Sequence, residues 1–148
     1  RSVRDLKVLK GLGTLSLRAM RLASLDGLKV DSDLVELHLE DNALSDLSEL
    51  ETFPRLRVLN AAANSICTLK GFLRQPKLEE VSLFGNPIAL HPHYRLMVTI
   101  CQQNSRLAKI DDLPVSETDV LLAEALAPYV HDALLMGWVL GEEEDETC

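Results

Sequence analysis

A pattern of leucines recurs along the chain at a fixed spacing, and it constrains the fold more than any other feature. The pattern is L-x-x-L-x-L-x-x-N-x-L, with Val or Ile at some aliphatic positions, and its copies begin at Leu34, Leu56 and Leu78. The spacing between copies is 22 residues in both cases. Repeats of about 20 to 29 residues form units that bury their apolar faces against one another. The sequence therefore predicts a stack of repeats whose successive copies lie side by side.

A fourth, degenerate copy precedes the three regular ones. Its aliphatic positions are held by Leu12, Leu15 and Leu17. Met20 stands where the other copies have Asn. We therefore expect four repeats over residues 12–90. Residues 1–11 match the second half of a repeat, so we expect them to end a preceding repeat of a longer protein; the alternative is an N-terminal cap.

Each copy is interpreted as a strand followed by a turn. The L-x-L segments predict short parallel strands with inward-facing leucines, at residues 14–18, 36–40, 58–62 and 80–84. The chain then bends inward, where an amide side chain can both donate to and accept from the buried backbone. These amides are Asn42, Asn64 and Asn86, and the first turn, which has Met20, is expected to be less regular. In the second half of each copy, apolar residues three apart predict a helical or 3₁₀ turn on the convex side.

No fifth copy follows, and residues 91–140 are predicted to form a helical C-terminal cap. The first cap helix is expected over residues 94–103. Its apolar side chains lie near one side, at Leu96, Val98 and Ile100. Such a helix can cover the apolar end that the last repeat would otherwise expose to water.

A second helix is predicted after Ser116, which has the spacing of a capping box with Asp119. We expect Pro128 to interrupt this helix, and Gly137 to end a second short apolar segment. Several apolar side chains of this region are expected to be buried on the cap, at Val120, Leu121, Leu126, Leu134 and Trp138. Residues 141–148 are mostly acidic and are expected to form a solvated tail.

The net charge and the absence of familiar site motifs reduce the number of function classes that the sequence allows. The net charge of −8 argues against a binder of nucleic acid or anionic membrane, and favours protein partners with a basic patch. No apolar run reaches the about 18 residues of a membrane span, and no signal-peptide pattern is present. His91 and His93 lack the further ligands of a zinc site, and no catalytic triad or phosphate loop stands out. We therefore expect no metal, no cofactor and no enzymatic activity.

The concave face of the predicted sheet is the candidate binding surface. Equivalent residues of successive strands lie about 4.8 Å apart, so they form continuous columns. The candidate residues are Glu36, His38, Glu40, Asp41, Asn60, Glu80, Ser82 and Phe84. Phe84 resembles the aromatic anchors of protein interfaces. Glu36, Glu40 and Asp41 form an acidic spot that suits a basic partner.

The repeat length and the cap together resemble the short leucine-rich repeat class. The cap motif that carries this likeness is N-P-x…Y-R…L-x-x-[IL]-D, from Asn86 to Asp111. The resemblance implies an α/β solenoid, a curved right-handed superhelix with a parallel concave sheet and a helical C-terminal cap. The class includes a regulatory subunit of protein phosphatase 1, the axonemal dynein light chain and many ciliary scaffolds.

A closer likeness covers most of residues 34–140. Four segments, VLNAAANSICTLKGF, KLEEVSLFGNPI, LAKIDDLPVSETDV and ALAPYVHDALLMGWVL, resemble the plant auxin-induced-in-root-cultures family of microtubule-associated proteins and its trypanosome relatives. The resemblance implies a non-enzymatic protein–protein interaction module of a cytoplasmic, cytoskeleton-associated scaffold. The alternative is a module of a phosphatase regulatory subunit or of axonemal and ciliary assembly. Direct microtubule binding is not expected, because an acidic microtubule surface would repel a chain of net charge −8.

Overall fold

A computed structural model of the chain describes residues 13–28 and 33–141. The predictions for residues 1–11 and for the acidic tail after Gly141 therefore lie outside the described residues. The strands are β1 (Thr14–Ser16), β2 (Glu36–His38), β3 (Val58–Asn60), β4 (Glu80–Ser82), β5 (Lys109–Ile110) and β6 (Leu113–Pro114). The helices are a 3₁₀ helix (Pro87–Leu90), α1 (Tyr94–Cys101) and α2 (Glu117–Leu135). The six strands form one sheet in chain order.

The first four strands confirm the predicted repeat register. They pair in parallel, so the central residues Leu15, Leu37, Leu59 and Val81 stand in one line. Each strand has three residues rather than the five predicted. Beyond each strand the chain runs on to a left-handed residue, at Ala19, Asp41, Ala63 and Gly85. Backbone hydrogen bonds between repeats continue to this residue, as in the 2.8 Å bond from Ala63 N–H to the Phe84 carbonyl.

The core consists of the aliphatic side chains that the repeats turn inward, and Leu37, Leu39 and Leu59 are fully buried. On the convex side each repeat makes one tight turn, closed by a 3.0 Å hydrogen bond between residues three apart. These bonds run from Leu28 N–H to Leu25 O, from Leu50 N–H to Leu47 O, and from Phe72 N–H to Leu69 O. The predicted 3₁₀-type turn is thus present as a single turn.

Buried amide side chains join the turns of neighbouring repeats, as predicted. The Asn64 amide nitrogen donates to the carbonyls of Leu39 and Ala61, at 3.0 and 2.9 Å, and its oxygen accepts from Leu44 N–H at 3.0 Å. The amide therefore bonds both its own turn and that of the preceding repeat. Asn86 and Asn42 make equivalent bonds.

The turn at Met20 departs from this geometry. Leu22 N–H donates to the Asn42 amide oxygen at 3.0 Å, as the equivalent residues of the later turns do, but here Met20 N–H also donates to that oxygen at 3.0 Å. Arg21 has a φ of 57°, whereas the corresponding residues of the later turns have no positive φ. The expectation of a less regular first turn is therefore confirmed.

A β-hairpin extends the sheet beyond the last repeat. Strand β5 pairs in parallel with β4, and β6 then pairs antiparallel with β5. Asp111 and Asp112, with φ values of 52° and 63°, form the two-residue connection. Two left-handed residues are typical of a type I′ hairpin turn, and so short a loop can join only antiparallel strands. The cap predicted for residues 91–140 is thus not entirely helical, because it contributes two strands to the sheet.

Residues of the predicted cap motif fasten helix α1 to the hairpin. The Tyr94 hydroxyl donates to the Asp111 carboxylate at 3.2 Å, and the same oxygen accepts from Leu83 N–H at 2.9 Å. The Arg95 guanidinium donates to the Ile110 carbonyl at 2.8 Å and to the Pro114 carbonyl at 2.7 Å. These bonds give a role to the Tyr-Arg pair at the start of α1 and to the Asp that follows β5.

Two buried glutamines link the third repeat to the cap, and the sequence interpretation did not include them. The Gln75 side chain accepts from Phe53 N–H at 2.7 Å and donates to the Glu51 carbonyl at 2.9 Å. Gln75 N–H in turn donates to the Gln102 side chain at 2.8 Å. Among the described residues, no buried side-chain nitrogen or oxygen lacks a hydrogen-bond partner.

Helix α2 differs from its prediction. Ser116 caps its first turn by accepting from Asp119 N–H at 3.1 Å, as expected. The helix then runs without interruption through Pro128, so the predicted break is wrong. An internal Pro costs about 3 kcal/mol, and the packing of α2 on α1 offsets that cost. Gly137 does end the helix, with a φ of 100° and a 3.0 Å bond from its N–H to the Leu134 carbonyl.

The packing of α2 changes which side chains are buried. Helix α1 is buried on all sides rather than on one, because α2 covers the side that the repeats leave open. On α2 itself, Leu134 is buried and Leu126 half-buried, as predicted. Val120, Leu121 and Trp138 were expected to be buried and are instead exposed. The buried side of α2 is lined by the smaller Ala123 and Ala127.

The buried leucines of the strands should dominate stability. Replacing Leu37 or Leu59 by Ala should lower the free energy of unfolding by about 2–5 kcal/mol, because each leaves a cavity in a filled core. Leu113→Ala is the control, since that side chain is exposed and its loss should change stability by about 0.5 kcal/mol or less. Urea denaturation measures all three. A Leu59 variant as stable as the control would contradict the assignment of that column.

The amide ladder can be tested with two asparagines of one repeat. Asn64→Ala should cost about 1–3 kcal/mol, because buried backbone groups lose their partners. Asn60→Ala should cost less, since the Asn60 side chain is half-buried and accepts only from the nearby Ala62 N–H. Thermal melting compares the two variants. Equal losses would mean that the ladder position has no special role.

The second cap helix should be required for solubility. A chain that ends at Val115 lacks α2 and exposes the apolar side of α1, so it should aggregate or bind a hydrophobic dye. A chain that ends at Gly141 lacks only the acidic tail and serves as the control. Light scattering and dye fluorescence distinguish the two. If the shorter chain stayed monomeric with an unchanged melting temperature, α2 would not be part of the cap.

Candidate protein-binding surface

The parallel strands place the predicted site residues in adjacent columns on the concave face. Glu36, Val58 and Glu80 are partners in one column of the sheet register. His38, Asn60 and Ser82 are partners in the next. All eight candidate residues lie among the described residues, and none of them is buried. The geometry therefore brings together the residues that the sequence selected.

His38 lies between two carboxylates of its own strand region. Its ring nitrogens are 3.2 Å from a Glu40 oxygen and 3.3 Å from a Glu36 oxygen. Because a carboxylate only accepts, each of these contacts is a hydrogen bond only when the ring nitrogen in it carries a proton. Glu40 is the most enclosed of the three, with 16% of its side chain exposed. The Glu40 carboxylate is thus less accessible to a partner than the sequence suggested.

Asp41 also has a neighbour of opposite charge. Its carboxylate lies 3.1 Å from the Arg18 guanidinium, and both side chains are largely exposed. An exposed ion pair contributes about 0–1 kcal/mol, so a partner can compete for either member. The predicted acidic spot is therefore a mixed surface, in which Glu36, Glu40 and Asp41 each have a histidine or an arginine beside them.

Strand β5 adds a residue to the surface that sequence reasoning missed. Lys109 is the register partner of Glu80, and its ammonium lies 3.7 Å from the Glu80 carboxylate. The 22-residue spacing does not predict that Lys109 lies on this surface, because the step from β4 to β5 is longer than one repeat. A signal was available, since Ile110 in the cap motif occupies the inward position that pairs with Val81.

Phe84 is the exposed aromatic ring of the concave columns. It follows β4, and 70% of its surface is exposed. Its backbone is fixed, because the Phe84 carbonyl accepts from Ala63 N–H at 2.8 Å. The next residue, Gly85, has a φ of 79°, and a Cβ atom there would lie only 3.3 Å from Ala63 N. The backbone at Phe84 is therefore held in place, while the ring itself stays exposed at the surface.

The described residues offer charged pairs, amides and an aromatic ring rather than a reactive group. No group of three His, Cys, Asp or Glu side chains within residues 13–28 and 33–141 could hold a metal ion. Burial raises the pKa of the Cys101 thiol to about 12, so the thiol stays protonated at neutral pH. Burial, followed by the nearby Asp111 carboxylate, raises the pKa of Tyr94 above its ordinary value.

Neither described α-helix combines the length and apolar character needed to span a bilayer.

Part of the chain is similar in sequence to two mammalian proteins. It is 37% identical over 109 residues to dynein axonemal assembly factor 1 of Rattus norvegicus, and the same values hold for the Mus musculus protein. The match covers 71% of this chain but only 13% of each relative, so the chain spans a small part of these proteins. No family model matches the sequence.

The described architecture also matches a solved structure. A chain of the Drosophila melanogaster SNF/U2A' complex covers 84% of this chain, and this chain covers 74% of it, with a TM-score of 0.66 and 23% identity. At this identity the likeness establishes the fold alone. The parallel sheet with one strand per repeat and the helices that follow it agree with that fold. The chain is a leucine-rich repeat solenoid with a helical C-terminal cap.

Proposed function

We propose that the chain is a non-enzymatic module that binds a protein partner on its concave face, with Phe84 as the anchor. The observation that carries this proposal is an aromatic ring, 70% exposed on a backbone fixed by hydrogen bonds, at the end of columns of polar side chains. Aromatic residues dominate the binding energy of many protein interfaces when a partner buries them. A polar surface around such an anchor is typical of interfaces whose two partners are also stable apart.

The surrounding charges indicate the chemistry of the partner. The carboxylates of Glu36, Asp41 and Glu80 are each between 42% and 47% exposed. Their neighbours His38, Arg18 and Lys109 are also accessible. A partner that carries Lys or Arg next to an apolar side chain can form ion pairs with these carboxylates in place of the local pairs. The net charge of −8 favours the approach of such a partner.

The biological setting that we propose is the assembly of axonemal or other cytoskeletal structures. Its support is the 37% identity to dynein axonemal assembly factor 1 of two mammals. In this setting the module works in the cytoplasm and holds a protein component during assembly. An assembly factor needs selective binding rather than catalysis, and the concave columns provide polar groups for selectivity.

A second setting is a microtubule-associated scaffold. The resemblance of four segments after Leu56 to the auxin-induced-in-root-cultures family supports it. In this setting the module recruits a partner to the cytoskeleton while another part of the scaffold contacts the microtubule. The two settings share the concave binding surface and differ in the identity of the partner.

Binding should depend on Phe84. Phe84→Ala should weaken partner recovery by about tenfold or more while the melting temperature stays the same, because the ring is exposed in the free chain. Leu90→Ala is the matched control, since Leu90 is equally exposed and lies outside the concave columns. Quantitative mass spectrometry of proteins bound to the tagged chain in ciliated cells measures the effect. A partner set unchanged by Phe84→Ala would move the site away from the concave face.

The isolated chain should not bind microtubules directly. The chain and the microtubule surface are both acidic, so they repel each other at separations up to a Debye length of about 8 Å at physiological salt. Co-sedimentation with purified microtubules at that ionic strength should leave the chain in the supernatant. Its appearance in the pellet would contradict the proposed division of roles, in which other parts of a scaffold make the microtubule contact.

A further inference from the structure

Helix α2 and the turn that ends it carry most of the large apolar side chains that the described chain leaves exposed. Of the ten large hydrophobic residues that are exposed, six lie on α2 or in the turn that ends it. These are Val120, Leu121, Leu122, Tyr129, Met136 and Trp138. Contiguous exposed apolar surface of this kind marks an interaction site in a stable protein.

These side chains form a stripe rather than a scatter. Leu122, Ala125, Tyr129 and Met136 are separated by 3, 4 and 7 residues, which places them along one side of a helix. Tyr129 is 84% exposed and Met136 is 72% exposed. Leu121 lies on the adjoining outer side and is 65% exposed. The stripe therefore extends along most of α2.

The fold itself does not need this stripe. Helix α2 is attached to the solenoid by its opposite side, where Ala123, Ala127 and Leu134 are buried. Its C-terminal end is fixed by a 2.9 Å hydrogen bond from Gly71 N–H to the Leu135 carbonyl. Gly71 has a φ of 71°, and a Cβ atom there would lie 2.1 Å from Ser48 Cα, so the repeats approach closely at this contact. The helix is thus a fixed platform whose outer side the described residues leave uncovered.

The charges on α2 specify what can cover the stripe. The segment from Ser116 to Leu140 contains no Lys or Arg. Glu117, Glu124 and Asp132 lie among the exposed residues, and Asp132 is 99% exposed. Glu124 and Asp132 also line a groove of about 490 Å³ beside Tyr129, which Arg74 and His131 line as well. An occupant must therefore combine apolar side chains for the stripe with cationic side chains for its carboxylates.

Two other occupants fit poorly. Residues 142–148 of the same chain are acidic and contain no large apolar side chain. A second copy that paired its own α2 with this one would bring like charges together, and each copy has a net charge of −8. A helix with one apolar side flanked by Lys or Arg has the complementary pattern, and such helices commonly dock along apolar grooves.

We propose that the outer side of α2 is a second docking site, which binds a basic amphipathic helix of a partner protein. Apolar residues of that helix cover Leu122, Tyr129 and Met136. Its cationic side chains approach Glu124 and Asp132. This surface is separate from the concave columns and uses none of their residues.

A synthetic peptide of defined chemistry tests the proposal on the full chain. The probe is an amphipathic helix of Leu and Lys of about 18 residues, five helical turns. Trp138, the single Trp of the chain, follows α2 and is 68% exposed, so its fluorescence reports binding nearby. We expect the emission of Trp138 to shift to the blue as the peptide binds. A peptide of the same length with Glu in place of Lys should bind much more weakly.

Matched variants locate the site. Tyr129→Gln combined with Met136→Gln should weaken binding of the Leu/Lys peptide by about tenfold or more, because both side chains lose apolar contact. Leu90→Gln combined with Leu113→Gln removes equally exposed apolar groups elsewhere and should have no effect. Circular dichroism checks that both double variants keep the fold. Equal loss in the two double variants would overturn the proposal, since binding would then be general hydrophobic adsorption.

The electrostatic part has its own test. Glu124→Gln with Asp132→Asn should weaken binding of the Leu/Lys peptide and reduce its dependence on salt. Unchanged affinity in this variant, or equal binding of the Leu/Glu peptide, would overturn the assignment of a basic partner.

Sedimentation of the chain alone distinguishes the remaining case. Dimers that Tyr129→Gln abolishes would assign the stripe to a second copy. Loss of the peptide site would leave the Phe84 test of the concave face unaffected.

Discussion

Each buried Asn amide bonds two turns at once, and the arrangement of the binding surface depends on that bond. Asn64 ties its own turn to that of the preceding repeat through Leu39 and Leu44, and Asn86 does the same one repeat later. A one-residue shift between repeats would leave these buried groups without partners, which costs about 1–3 kcal/mol for each group. The amides thereby fix the register. The register in turn places His38 beside Asn60, and Asn60 beside Ser82.

This dependence explains how much of the site could be predicted from sequence. Since the repeat period fixes the register, the period alone assigned Glu36, Glu80 and the other candidates to one face. The pairing of their charges could not be predicted in this way. The contacts of Arg18 with Asp41, and of His38 with two glutamates, depend on side-chain rotamers. Periodicity carries no information about rotamers, so it overstated the acidity of the surface.

The cap was harder to predict because no period governs it. Lys109 reaches the concave face only because a hairpin replaces the fifth repeat, and the position of that hairpin depends on bonds made by Tyr94, Arg95 and Asp111. Helix α2 continues through Pro128, against the low helix propensity of proline, for the same reason. A proline opposes helix locally, whereas the packing of Ala123, Ala127 and Leu134 on α1 is a tertiary contact that sequence spacing does not reveal.

The two proposed surfaces lie on different parts of one rigid unit, and this arrangement suits a component of an assembly. Phe84 stands on the concave columns after β4, whereas the stripe lies on a helix fixed to the convex turn at Gly71. Because the two sites share no residue, binding at one leaves the side chains of the other available. A chain that holds two partners at once raises the effective concentration of each near the other, so even moderate affinities give a stable complex. Such bridging requires a platform that does not deform between its sites. The continuous core and the buried amides of the repeats provide that rigidity.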